Sequence, residues 1–452
     1  MDNTSGPGAA RFQQPQTQSS AQGQGQSQYP YVTPSGGQVP PVPSQQPYAQ
    51  GPVPAPTSQV TAPSNKPVLI TSGLALVGIT LIGLAFVLGG EASKFMTVGI
   101  QFIPLAMLAA LAFAGLRNGV AAAFTYMWLA VVMLGVLLIV ASYTVMGTIR
   151  DMGLFYQWLA SPRDIPITQV FRGDAGAVIL LSIVLMMLVT LLSLAMLLRP
   201  VRVLLSRVIP IDPDNFVHKI ALCFLTLLTL GSFLPLIVLG GQPPLLLLIN
   251  SPAPQGSLGQ SMDISVRPQD LIYQFVWTIP ATFVAAGWPV ARNFRAMLKR
   301  LGFVRPTPLQ VVGAVAGGVV LAAVADRGID PGINQLWHSL GWGTTDVEAF
   351  GKLMTQLITP IGAVLVGVTA GIGEELAVRG LLQPRIGLIA SNLVFTSLHA
   401  FQYGVDALLS VFIIGLILGL IRMRTNTTTS AIVHGVYDFV LVLSSTSLFT
   451  GQ

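Results

Sequence analysis

The sequence is poor in charged residues. Asp, Glu, Lys and Arg make up 9% of its 452 residues, and 52% of the residues are hydrophobic. Soluble domains carry about a quarter charged residues. A chain of this composition could not cover the surface of a water-soluble globule, so the soluble classes of enzyme and binding protein are excluded and a membrane protein is expected.

Cysteine is nearly absent as well. The single cysteine, Cys223, lies in an apolar run, which excludes a disulfide framework and a cysteine-based metal site. The net charge of +6 does not indicate a nucleic-acid partner. The basic residues lie in short runs between apolar stretches, which is typical of a polytopic membrane protein.

Residues 1–65 differ in composition from the rest of the chain. Gln, Pro, Ser, Gly and Tyr dominate, and long aliphatic residues are nearly absent. Such a segment cannot bury enough apolar surface to offset its ordering entropy. We therefore expect a disordered cytosolic tail, either simply solvated or serving as a docking segment for a partner, and not a cleavable signal peptide.

The remainder is a series of apolar runs. A helix needs about 20 apolar residues to cross a bilayer, and the sequence predicts an all-α, polytopic transmembrane bundle of about 11 spans. The predicted spans are 67–90, 97–116, 120–146, 175–198, 220–241, 270–291, 308–325, 353–372, 386–402, 406–421 and 428–449.

The positions of Lys and Arg predict the orientation. With the N-terminus in the cytosol, sixteen of the 23 basic residues fall on the cytosolic side and seven outside, as the positive-inside rule requires. We expect a multi-pass protein of the plasma membrane with its C-terminus outside. Residues 66–305 form a six-span region of unknown role, and residues 306–452 a C-terminal region. Two GxxxG pairs within spans, Gly313–Gly317 and Gly415–Gly419, indicate close helix packing.

Ionisable residues within apolar spans are costly and usually functional or paired. Glu374, Glu375 and Arg379 lie in the stretch GIGEELAVRG. In a helix, Glu375 and Arg379 share a face and can form an ion pair, while Glu374 points elsewhere. The alternative is a solvated helix end at the membrane surface.

Two histidines lie in separate later spans. His399 ends the motif FTSLH, and His434 and Asp438 are four residues apart in HGVYD. Each motif alone is as well explained by a structural histidine or by a hydrogen bond between helices. Together with the glutamate pair, they predict one site to which three helices each contribute an acid or base side chain.

The order EExxxR, FxxxH and HxxxD resembles the CPBP family of CAAX protease and bacteriocin-processing intramembrane endopeptidases, also called Abi. The motifs are Glu374-Glu375-x-x-x-Arg379, Phe395-x-x-x-His399 and His434-x-x-x-Asp438, within a catalytic core of about 350–445. The resemblance implies an enzyme that hydrolyses a peptide bond in a peptide or membrane-anchored protein within the lipid bilayer.

The resemblance also implies a role for each residue. Glu374 is the base that activates water, His399 holds that water, and His434 stabilises the oxyanion. Glu375 and Arg379 support the helix. Many family members have Asn at the position of Asp438. An ionised Asp cannot donate a hydrogen bond, so Asp438 either orients the Nδ1 proton of His434 or is protonated.

Metal-free hydrolysis without a cofactor is favoured. Glu374, His399, His434 and Asp438 are also possible zinc ligands, but no HExxH is present. No predicted span contains a rhomboid-type GxSx motif, and a presenilin-type GxGD is absent too. A transporter with a buried proton relay and a non-catalytic membrane scaffold remain the alternative functions.

Overall fold

The computed structural model describes residues 66–251 and 265–446, and these residues are helical with no strand among them. The predicted disordered tail, residues 1–65, lies outside the described residues. The first half contains helices and short connecting helices with the following bounds: α1 (Lys66–Val87), α2 (Gly90–Gly115), α3 (Gly119–Thr148), α4 (Met152–Ala160), α5 (Ile167–Val170), α6 (Ala175–Ala195), α7 (Arg199–Leu205), α8 (Phe216–Val238) and α9 (Pro244–Ile249).

The second half continues in the same way but contains irregular turns. Its helices are α10 (Pro268–Ala285), α11 (Phe294–Leu301), α12 (Pro308–Val324), α13 (Asp330–Ser339), α14 (Val347–Met354), α15 (Pro360–Val368), α16 (Gln383–Ser397), α17 (Val405–Arg424) and α18 (Thr427–Ser444). π-Helical turns cover Ala325–Ile329, Thr369–Glu374 and Leu376–Leu382. π-Helical turns are frequent at functional sites.

Polar caps mark where many of these helices begin. The side chain of Asn118 accepts a hydrogen bond from Ala121 N at the start of α3, and Asn426 accepts one from Thr429 N at the start of α18. Each cap satisfies a backbone N–H group that has no partner inside its helix. The caps therefore fix helix ends that the apolar runs leave undefined.

Eight helical stretches within the described residues are long and apolar enough to cross a membrane: α1, α2, α3, α6, α8, α12–α13 (Pro308–Ser339), α15–α16 (Pro360–Ser397) and α17. Their outer faces are apolar, as the side chains of Phe86 (80% exposed) and Leu309 (80% exposed) illustrate. Exposed apolar surface of this extent belongs against lipid. The chain is therefore a multi-pass, all-helical membrane protein, and the predicted count of eleven spans stays a prediction.

The structure differs from the sequence-based boundaries between 353 and 402. The predicted spans 353–372 and 386–402 both overlap one long helical stretch, Pro360–Ser397, which contains two π-helical turns and is interrupted at Gly387. The charged stretch around residue 375 lies between these two predicted spans. It is helical, and its buried charges find partners within the bundle.

Small residues bring α18 against the stretch that carries the glutamate pair. A Cβ atom on Gly371 would lie 2.6 Å from Ala431 O, and one on Gly435 would lie 2.7 Å from Gly367 O. Only glycine permits backbones to approach this closely within a membrane bundle. This approach places His434, between Ala431 and Gly435, directly beside the glutamates.

Candidate active site

Glu375 is the most enclosed ionisable group of the site, with 0% of its side chain exposed. Its Oε1 lies 3.2 Å from Arg379 Nη1 and 2.9 Å from His434 Nδ1, and its Oε2 accepts a 2.6 Å hydrogen bond from Ser430 Oγ. A buried carboxylate is tolerated when it is paired in this way. Glu375 is thus fully engaged by protein groups.

Arg379 extends this network to α17. It is 1% exposed, donates from Nη2 to Gly415 O at 2.9 Å, and lies with its guanidinium carbon 4.5 Å from the centre of the Phe395 ring. A Cβ atom on Gly415 would clash with Asn392 Oδ1. The second GxxxG pair therefore does more than pack helices, since it opens the backbone of α17 to the guanidinium. The alternative of a solvated helix end is wrong for Glu375 and Arg379.

Glu374 has the opposite environment. Its side chain is 40% exposed, and its Oε2 lies 3.9 Å from His434 Nε2. Two neighbouring carboxylates thus differ sharply: Glu375 is saturated by partners, and Glu374 retains an open side. Glu374 is the carboxylate with room for water or a substrate.

His434 lies among three carboxylates. Glu375 Oε1 is 2.9 Å from Nδ1, whereas Asp438 Oδ2 and Glu374 Oε2 are 3.3 and 3.9 Å from Nε2. Only 4% of His434 is exposed. The imidazole is therefore held at Nδ1 and faces the two less buried carboxylates with Nε2.

Asp438 does not orient the Nδ1 proton of His434, which was one of two interpretations of this residue. Glu375 occupies Nδ1, and Asp438 lies at Nε2 with 20% of its side chain exposed. Because the spacing of four residues fits either ring nitrogen, the sequence alone could not distinguish them. Asp438 thus shares the open side of the site with Glu374.

His399 lies in the same cluster but has no direct ion pair with the glutamates. Its Nδ1 is 3.0 Å from Phe395 O, and a carbonyl only accepts, so Nδ1 carries the hydrogen. The Phe395 ring separates the two imidazoles, with its centre 4.8 Å from that of His399 and 6.1 Å from that of His434. In the neutral tautomer, Nε2 of His399 is left as an acceptor.

Sequence reasoning missed two polar residues that lie beside the candidate site. Ser430 precedes His434 by four residues and Tyr403 follows His399 by four, so helical spacing could have found both. Tyr403 stacks on His399 with ring centres 5.9 Å apart. Burial, together with the negative charges of Asp438 and Glu374, raises the pKa of the Tyr403 hydroxyl. This phenol therefore stays protonated beside the site.

Across the described ranges, no group of three or more His, Cys, Asp or Glu residues is placed to hold a metal ion. In particular, Nδ1 of His434 is committed to Glu375.

Residues 356–440 match the family model described as type II CAAX prenyl endopeptidase Rce1-like. The matched segment includes all six predicted site residues, and it confirms the resemblance to the CPBP family that the motifs indicated. A search of curated proteins and a search of solved structures gave no match. The match covers less than a fifth of the chain and supports a protease or hydrolase at the level of the family, within a chain that is a multi-pass membrane protein.

Proposed function

We propose that the chain is an intramembrane endopeptidase of the CAAX prenyl protease type, which hydrolyses a peptide bond with a water activated by Glu374. One observation carries this proposal. Two adjacent glutamates lie on either side of the His434 imidazole and differ in environment. Glu375 is buried and bound by protein partners, whereas Glu374 is partly exposed beside Nε2 of His434. This division of roles is what a supported general base requires.

In the proposed reaction, Glu374 takes a proton from water, and the water oxygen attacks the carbonyl carbon of the scissile bond. The acceptor nitrogen of His399 holds the second hydrogen of that water. When the tetrahedral intermediate collapses, Glu374 returns its proton to the leaving amine. Proton transfer by a positioned side chain typically contributes 10²- to 10⁴-fold in rate.

The carbonyl oxygen becomes negative during the attack, and His434 is the proposed donor to it. The charged imidazolium can donate from both nitrogens, to Glu375 from Nδ1 and to the oxyanion from Nε2. The three carboxylates within 4 Å stabilise that charged form. In this scheme Asp438 leaves Nε2 when substrate binds, or donates as the protonated acid.

A metal-free reaction follows from this scheme and is supported by the arrangement of donor atoms. A zinc-dependent version would need Nε2 of His434 and two further ligands, with Glu374 and Asp438 nearest to it. Glu374 would then no longer be free as a base. Sensitivity to chelators separates the two versions.

The proposed substrate is a peptide or membrane-anchored protein, and a prenylated CaaX protein is one class that the family match favours. The proposed setting is the plasma membrane, with eleven spans, a cytosolic N-terminus and an external C-terminus. Orientation is testable because Cys223 is 0% exposed and gives little background labelling. A cysteine at exposed Arg295 should react from the cytosol, and one at exposed Lys352 from outside.

The experiment that tests the function compares peptide termini in membranes of cells that carry the wild-type chain or Glu374→Gln. The proposal expects a set of new termini that requires Glu374. A matched Glu348→Gln variant, altered at an exposed residue, should leave that set unchanged. Identical termini in the wild type and Glu374→Gln would favour a transporter or a non-catalytic scaffold instead.

A further inference from the structure

Three arginines outside the candidate active site converge at one end of the bundle. The end of α11 is tied to the start of α18, since Thr427 Oγ1 donates to Leu301 O at 2.7 Å and Thr427 N donates to Gly302 O at 3.1 Å. Arg300 lies next to these carbonyls. Arg422 belongs to the last turn of α17, just before this junction.

The third arginine, Arg385, comes from the stretch that carries the glutamates. Gln383 Nε2 donates to Gly419 O at 2.9 Å, which ties the start of α16 to the last turns of α17. Arg385 lies two residues after Gln383, and Arg422 lies three residues after Gly419. Arg300 and Arg385 lie within electrostatic range of each other, as do Arg300 and Arg422.

These arginines have no acidic partner. Within 66–251 and 265–446, no carboxylate oxygen lies within 4 Å of the guanidinium of Arg300, Arg385 or Arg422, whereas Arg199 pairs with Asp214 at 2.7 Å. The Nε atoms of Arg385 and Arg422 are buried without a hydrogen-bond acceptor. A buried donor without a partner is costly, so these Nε–H groups favour an anionic acceptor.

The local electrostatics also favour an anion at this cluster. Burial, with the positive charges of Arg292 and Arg422, lowers the pKa of Arg300 to about 10. α11 and α17 both end here, and each helix C-terminus supplies roughly half a negative charge, whereas the N-terminus of α18 supplies roughly half a positive charge. Together the three helix ends offset about half of one positive charge, so the three arginines keep the cluster positive.

We propose that Arg300, Arg385 and Arg422 form a binding site for a phosphate group, supplied by an anionic lipid headgroup or by free inorganic phosphate. Guanidinium groups bind phosphate oxygens through paired hydrogen bonds. The site lies behind the catalytic helix, because a Cβ atom on Gly380 would lie 2.9 Å from Leu301 O. Phosphate binding thus stabilises the packing of α11 against the stretch that carries Glu375.

The test uses the full chain purified in a neutral detergent. Inorganic phosphate is titrated at constant ionic strength, and the thermal unfolding midpoint is followed. In parallel, the chain is placed in bilayer discs of phosphatidylcholine with or without phosphatidylglycerol. A rise of the unfolding midpoint with phosphatidylglycerol alone identifies a lipid headgroup as the ligand. A rise of the midpoint with inorganic phosphate identifies the free ion as a ligand.

Variants assign the effect to the cluster. Arg385→Gln and Arg422→Gln should lower the affinity for phosphate about tenfold or more, because each removes charge-assisted hydrogen bonds. The matched controls Lys299→Gln and Arg424→Gln, at exposed positions of the same end, should change it less than twofold. Arg385→Lys and Arg422→Lys keep the charge if the glutamine variants do not fold, and should still weaken binding. An equal response in cluster and control variants, or no response in either arm, overturns the proposal.

Discussion

Replacement of Arg379 by methionine tests the buried network that holds the helical stretch carrying Glu374 and Glu375. The change removes the partner of Glu375 at 3.2 Å and the donor to Gly415 O at 2.9 Å, and it keeps an unbranched apolar side chain. Glu375 is 0% exposed, so it cannot be rescued by solvent. Breaking a buried pair from one side costs about 3–5 kcal/mol. We expect the lower part of that range, because Ser430 and His434 still contact Glu375.

The measurement is the free energy of unfolding in mixed micelles of SDS and a neutral detergent, followed by circular dichroism. The double variant Arg379→Met/Glu375→Gln should lose less than the sum of the single losses, because it leaves no unpaired buried charge. The exposed pair Glu348–Lys352 has the same spacing, at 2.8 Å, and its disruption should have no measurable effect. A loss of unfolding free energy below about 1 kcal/mol for Arg379→Met, or strictly additive losses in the double-mutant cycle, would show that this network does not stabilise the fold.

Three further predictions concern the site and its surroundings. Asp438→Asn should cleave substrate at least as fast as the wild type, since a carboxamide can donate to the oxyanion; a 100-fold loss of kcat would instead show that the carboxylate itself is needed at His434. Gly415→Ala should destabilise the fold by about 1–3 kcal/mol, because its Cβ clashes with Asn392, whereas Gly313→Ala, with nothing within 4 Å, should not; equal unfolding free energies would contradict this. Proteolysis should survive strong chelators, and a loss that added Zn²⁺ restores would establish the zinc-dependent version.

Much of the helical fold could be predicted from hydrophobic runs. The predicted span 67–90 corresponds to Lys66–Val87, and 220–241 corresponds to Phe216–Val238. Such segments are recognisable because each helix faces lipid along much of its length. The π-helical part of the stretch Pro360–Ser397 was not predictable in this way, because its buried charges break the apolar pattern that marks a span.

The ionisable residues of the candidate site could be predicted from the sequence, but their contacts between helices could not. Spacing within a helix indicated that Glu375 and Arg379 share a face. It could not indicate that Glu375 binds His434, which lies 59 residues further along the chain, because that contact depends on how two helices pack. The same limit hid the choice of ring nitrogen at His434.

In the proposed mechanism, Glu374 activates the attacking water while Glu375 only supports the site. Its most direct test is the cleavage of a prenylated CaaX peptide, or of a peptide found by the comparison of termini, by purified chain in detergent. Glu374→Gln should lower kcat about 10²- to 10⁴-fold with an unchanged unfolding midpoint. Undiminished cleavage by folded Glu374→Gln protein would contradict the account.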